Sequence, residues 1–178
     1  MLSPNATSPG VHEFRSGMSL LPGGVNVVTT SGDAGLAGFT ASAVCSVTDS
    51  PPTVLVCMNR GSNAYPHFSR SRVACVSVLS GEQQHLSTLF SNRDVPMSQR
   101  FEQCAWTSLE TGAPALDGAL ANLDGDIIAS HDVGTHCIFI VQLRKIRVGS
   151  QDAPGLAYFK RGYHVLTDDP RPSLAAAA

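Results

Sequence analysis

Between residues 24 and 166 the apolar positions fall mostly in short runs or on every second residue, which is a strand pattern. Residues 24–30 are β-branched and stop at the turn signal Ser31-Gly32-Asp33. Residues 53–58 follow Pro51-Pro52 and read as a buried strand. Residues 73–79 read as another, ended by Ser80-Gly81. Two long strands are predicted at 119–129 and 135–148, joined near Asp132-Val133-Gly134. A short closing hairpin is predicted at 156–159 and 163–166, around Lys160-Arg161-Gly162.

Helical spacing is scarce. Phe14, Met18 and Leu21 have it ahead of Pro22-Gly23, and residues 63–70 suit a short helix. Residues 82–90 suit a better one, with Leu86, Leu89 and Phe90 on one side. Many short strands and few helices predict a closed or partly closed antiparallel barrel. One domain is expected over 13–168, between flexible tails at 1–12 and 169–178.

Composition sharpens this picture at two points. The 178-residue chain is 43% apolar and only 15% charged, against about 25% charged in an average domain. The deficit predicts that part of the surface is covered by another subunit or taken up by a ligand-filled cleft. Net charge is −2 and the pI about 6.3, with no basic patch, so nucleic acid is not an expected partner. No apolar run approaches the ~18 residues that span a bilayer, so no membrane partner is expected. No signal peptide is read at the N-terminus, and Asn5-Ala6-Thr7 is a short sequon of little weight. The cysteines, 45, 57, 75, 104 and 137, are odd in number and include no C-x-x-C. They read as buried reduced thiols of a cytoplasmic protein, with no metal site.

The chemistry concentrates in residues 38–52. Thr40, Ser42, Ser46 and Thr48 fall on alternate positions of one predicted strand, interrupted only at Val44, giving a hydroxyl-rich face. Ala41, Ala43, Cys45 and Val47 occupy the other and suit close packing. By pattern alone the hydroxyl row is either a ligand wall or a solvated strand face.

Residues 39–47 (Phe-Thr-Ala-Ser-Ala-Val-Cys-Ser-Val), then Asp49-Ser50-Pro51-Pro52, then Val56-Cys57-Met58-Asn59-Arg60 and Ser62, resemble the flavin reductase family. These are the FMN-binding split-barrel reductases of two-component monooxygenases. Gly134-Thr135-His136 matches the family's Gly-x-His. Residues 158–164 (Tyr-Phe-Lys-Arg-Gly-Tyr-His) match its closing aromatic-basic-Tyr-His element. The likeness runs over about residues 14–166. Reductases of pyrimidine degradation and of 4-hydroxyphenylacetate oxidation share it, as do cob(II)yrinic acid a,c-diamide reductases.

The resemblance implies a mainly β, antiparallel Greek-key, FMN-binding split β-barrel with a few short peripheral helices. It implies an NAD(P)H:flavin oxidoreductase. NADH or NADPH would be the hydride donor, FMN or FAD the acceptor, and diffusible reduced flavin the product passed to a partner monooxygenase. It also implies a homodimer. Flavin would lie along Thr40, Ala41, Ser42, Ala43, Val44, Cys45 and Ser46, and along Val56, Cys57, Met58 and Asn59. Arg60 and Ser62 would meet its phosphate. His136 would position the nicotinamide, and Tyr163 and His164 would face it, with Arg161 near its phosphates. Cys57 is read as a wall residue and not a redox centre. The alternatives are an FMN-retaining reductase of another acceptor such as a corrinoid, and a flavin-binding module without activity.

Two further patterns narrow the reading. Residues 32–38 read G-x-x-G-x-x-G, not the G-x-G-x-x-G of a Rossmann site, and suit a hairpin turn. His131 and His136 lie an odd number apart across a turn and make no metal pair.

Overall fold

The computed structural model describes residues 8–167. The expected tail at 169–178 and the sequon at 5–7 lie outside them. Helix α1 (Val11–Met18) opens the described chain, so the segment expected as a loose tail to residue 12 ends in a helix. Strands β1 (Gly23–Gly24), β2 (Asn26–Thr30), β3 (Ala37–Ala41), β4 (Val44–Asp49) and β5 (Pro52–Asn59) follow. Next come α2 (Tyr65–Phe68), β6 (Val73–Val78), α3 (Gln84–Ser91), α4 (Met97–Glu102), β7 (Trp106–Ser108) and β8 (Pro114–Leu116). The chain closes with β9 (Ala121–Val133), β10 (His136–Val148), β11 (Gly155–Phe159) and β12 (Gly162–Leu166).

Seven strands form one antiparallel sheet in the order β3-β2-β6-β9-β10-β5-β4. Its two outermost strands are neighbours in sequence, separated only by Ser42 and Ala43. The sheet therefore curls until its edges meet in one length of chain. The barrel is shut by backbone continuity, and at the seam the two edge strands diverge toward different partners. The fold is the expected mainly β split barrel.

The expected single strand over 40–48 is corrected here. β3 pairs with β2, β4 pairs with β5, and the register shifts again between Ser46 and Thr48. The hydroxyls thus share no single face. Thr40 Oγ1 is turned inward and donates to the Ser87 carbonyl at 2.6 Å. Ala41 is buried as expected, but Ala43, Cys45 and Val47 are exposed.

Alternation on β5 sends Val54, Val56 and Met58 into the barrel core, with Val28, Phe39, Phe68, Val76, Phe139 and Val141. Leu55 and Cys57 point the other way. A second apolar cluster (Val25, Val27, Leu79, Leu86, Phe90, Phe101, Leu116, Leu156) seats α3, α4 and the β11–β12 hairpin against the barrel. Gly38 makes that seat close: a Cβ there would lie 2.7 Å from Phe90 Cε1. The glycine-rich segment is the β2–β3 hairpin loop, with Thr30 opposite Ala37. No helix among the described residues is long and apolar enough to cross a membrane.

Candidate active site

The seam opens into three adjoining cavities that all touch Ser42. The first, about 780 Å³, is walled by Ser42–Cys45, Leu55 and Cys57 on the barrel side. Phe14, Arg15, Met18, Leu21, Tyr158 and Arg161 face them. The second, about 310 Å³, holds Thr40–Ala43, Cys57, Asn59, Ser62, Arg93 and His136. The third, about 280 Å³, joins Thr40 and Ser42 to Ser87, Tyr158 and Tyr163.

Each side chain is there for a local reason. Ser42 and Ala43 lie between two ladders, and among the described residues neither amide N–H has a backbone carbonyl partner. Both residues line the cleft. Asn59 ends β5 opposite His136, which begins β10, so the two polar side chains are brought side by side at one rim. The His136 ring is oriented by Thr135, whose Oγ1 lies 2.9 Å from Nδ1. Tyr163 rises from β12 and its hydroxyl lies 2.9 Å from Ser87 Oγ on α3. Its ring meets Tyr158 edge to face at 5.2 Å between centroids.

Arg100 shapes the second cavity from behind. The residue is 4% exposed, and its guanidinium donates to the carbonyls of Gly38, Phe90, Asn92 and Val95. These bonds pin the loop after α3 that carries Arg93. Burial lowers the Arg100 pKa. No carboxylate lines the second cavity among the described residues. The Arg93 guanidinium, an imidazole and several hydroxyl and amide groups face it, a donor set suited to a phosphate and a polyol chain.

Most of the expected site residues come together: Thr40, Ala41, Ser42, Ala43, Val44, Cys45, Cys57, Asn59, Ser62, His136 and Tyr163 all border the cleft. Five do not. Val56 and Met58 are 0% exposed core side chains, because they sit on the inward positions of β5. Arg60 is turned to the β9–β10 hairpin, donating to Asp132 at 2.7 Å and to the Gly134 carbonyl at 3.0 Å. Ser46 lies beyond the cavities on exposed β4. His164 points to the hairpin's own turn, with Nε2 3.1 Å from the Phe159 carbonyl. The residues that sequence reasoning missed are Arg93, Asn63, Ser87, Ser91, Tyr158 and the α1 side chains. Only Tyr158 had a signal, lying inside the aromatic-basic segment.

Cys57 borders two of the cavities, and its thiol pKa is raised by burial and by neighbouring Cys45. A thiol that holds its proton is a poor nucleophile. No group of three or more metal-ligating side chains occurs among the described residues.

Comparison with known proteins agrees with this geometry. Residues 18–167 match the model of the flavin reductase like domain. An FMN reductase (NADH) from Rhizobium rhizogenes, RutF 2, is 49% identical, over 92% of this chain and 95% of that protein. The RutF protein of Enterobacter cloacae is 48% identical, over 90% and 96%. Among solved structures, the bacterial flavin reductase component BorF of a two-component tryptophan halogenase superposes with a TM-score of 0.83. It is 30% identical and covers 90% of this chain and all of its own. The Streptomyces globisporus NADH:FAD oxidoreductase SgcE6, solved with NAD and FAD fragments, gives 0.83 at 26% identity, over 93% and 98%. On a seam cleft rich in donors and free of Rossmann elements, and on matches spanning nearly the whole chain, the protein belongs to the flavin reductase family.

Proposed function

We propose that this chain is an NADH-dependent flavin reductase that reduces FMN and releases it to a partner monooxygenase. The observation that carries the reading is the seam itself. Among the described residues it offers unpaired backbone donors at Ser42 and Ala43, and beside them a donor-rich cavity without a carboxylate.

Flavin fits that cleft in size and chemistry, since ligand cavities of roughly 300–1,000 Å³ are usual. The Ser42 and Ala43 amides would meet the polar edge of the ring, as backbone donors commonly do in flavoproteins. Asn59, Ser62 and Arg93 would hold the ribityl chain and phosphate. When bound, flavin supplies a hydride acceptor at ring nitrogen N5. The protein then needs no general base. Its work is to stack the nicotinamide on that face, and Tyr158, Tyr163 and His136 flank the space.

A homodimer and operation in the cytoplasm, where NADH is supplied, complete this reading. Val47, Ile128, Ile146 and Val148 are exposed along the barrel strands and support a second copy covering them. Sedimentation that finds only a monomer at micromolar concentration removes the dimer.

The test is NADH and NADPH oxidation with FMN and FAD in all four pairings. Turnover that requires added flavin and prefers NADH supports the proposal. Absence of oxidation in every pairing rules it out.

A further inference from the structure

We propose that Arg60 is a positioning residue: it straps the tip of the β9–β10 hairpin and so sets where the His136 ring stands at the rim of the cleft. The proposal rests on reading the cleft as a reductase site in which His136 meets the nicotinamide.

The tip is a two-residue turn, Gly134-Thr135, between the paired residues Val133 and His136. Gly134 takes a φ of 55° there, as tight hairpin turns require. The carbonyls of such a turn lie outside the strand ladder and need partners elsewhere. Arg60 meets both. Its amide donates to the Thr135 carbonyl at 3.0 Å, and its Nη2 donates to the Gly134 carbonyl at 3.0 Å. Nη1 completes the grip on Asp132 Oδ2 at 2.7 Å. One arginine thus holds three of the four residues that precede His136.

Little else fixes the tip. Every residue from Ser130 to His136 is exposed, so burial gives it no firm seat, and its position must come from polar bonds. The ladder supplies one, the pairing of His136 with Asn59 at the end of β5. Arg60 is the next residue along, and its bonds carry that pairing past the last ladder position to the turn itself. The same contacts reach the imidazole. Thr135, whose carbonyl Arg60 holds, places its Oγ1 2.9 Å from His136 Nδ1. Since Asp132 neutralises the guanidinium locally, Arg60 adds little net attraction for an anionic ligand, and its contribution is geometric.

The test is steady-state kinetics with NADH and FMN. Arg60→Ala should lower kcat/KM for NADH roughly three- to thirtyfold and leave KM for FMN within about twofold, as a misplaced ring would. Folding should survive, because exposed ion pairs add little stability. Arg60→Lys keeps the charge but cannot bond both acceptors in the same fork, so it should recover only part of the loss. Asp132→Ala separates strap from charge. The strap predicts a fall in kcat/KM, whereas a freed guanidinium attracting the dinucleotide would lower KM for NADH. In a His136→Ala background, Arg60→Ala should cost less than about twofold more, because both act through one ring. A lysine variant as fast as wild type, tighter NADH binding by Asp132→Ala, or losses that multiply in the double variant overturn the strap. Hydrogen exchange reads the tip without turnover: amides 133–136 should exchange roughly tenfold faster in Arg60→Ala, the scale of one lost bond. Wild type that oxidises no NADH with any flavin refutes the reductase reading. Faster exchange still supports the strap in that event, and unaltered exchange overturns it.

Discussion

The Tyr163 hydroxyl and Ser87 Oγ lie 2.9 Å apart, joining the C-terminal hairpin to helix α3 across the third cavity of the seam. Ser87 is fully buried, so the bond fixes the tyrosine ring at a set height above Thr40 and Ser42. Tyr163→Phe should cost about 1 kcal/mol in urea unfolding, the usual net value of one such bond. It should also raise KM for NADH more than it lowers kcat, as steady-state kinetics would read, because the ring loses its tether but keeps its face.

Arg93 and Arg60 should separate cleanly in binding. Arg93→Ala is expected to weaken FMN binding roughly tenfold, as a charge-assisted phosphate contact is lost. Arg60→Ala should change it little, because its guanidinium is held by Asp132. Both partners of that pair are substantially exposed, so its stability contribution should be under about 1 kcal/mol and fade with added salt. Flavin titrations by fluorescence quenching decide between the two arginines.

Met58→Ala should act on the fold. The side chain is 0% exposed in the barrel core, and truncating such a residue costs about 2–5 kcal/mol. Chemical denaturation should show that loss. FMN affinity of the folded fraction should be unchanged, whereas a flavin-contacting methionine would lose both.

In the proposed reaction His136 would position the nicotinamide and would not abstract a proton. His136→Ala should lower kcat/KM by about ten- to hundredfold, the scale of a misplaced ring. His136→Gln should recover much of it. A glutamine variant as slow as alanine, measured by stopped-flow reduction, would point instead to a proton role.

Cys75 gives the fold an alkaline weakness. Burial, then the charge of Asp124, pushes its thiol up to about 12 from an ordinary 9.0. The folded chain keeps that proton to about pH 12, while the unfolded chain releases it near 9. Stability is therefore lost as pH rises through that window, at about 1.4 kcal/mol per unit. Cys75→Ala should flatten the fall in urea midpoint between pH 9 and 11 and leave its slope below pH 8 unaltered.

Much of the barrel was legible because hairpins announce themselves at both ends. The β9–β10 and β11–β12 pairs combine alternation with a marked turn, and Pro51-Pro52 marks the corner between β4 and β5. The seam was not legible. Ser42-Ala43 carries no glycine or proline, and the change of partner there is dictated by strands far along the chain. β7, β8 and α4 are three, three and six residues long, too short to show a period. Arg60 misled because its place beside Asn59 hides a carboxylate that arrives from the tip of β9. Arg93 had no motif at all, and only the fourfold grip of Arg100 on neighbouring carbonyls shows why it is presented.

The unclosed seam has a cost during storage and expression. β4 is exposed beyond the half-buried Val44, pairs on one side only among the described residues, and carries Val47 at 51% exposure. Such an edge is a template for intermolecular strand pairing. Ligand in the cleft would brace the start of this strand, where Val44 and Cys45 line the first cavity. Protein purified without flavin should therefore aggregate sooner on warming than protein kept with FMN, and light scattering would register the delay.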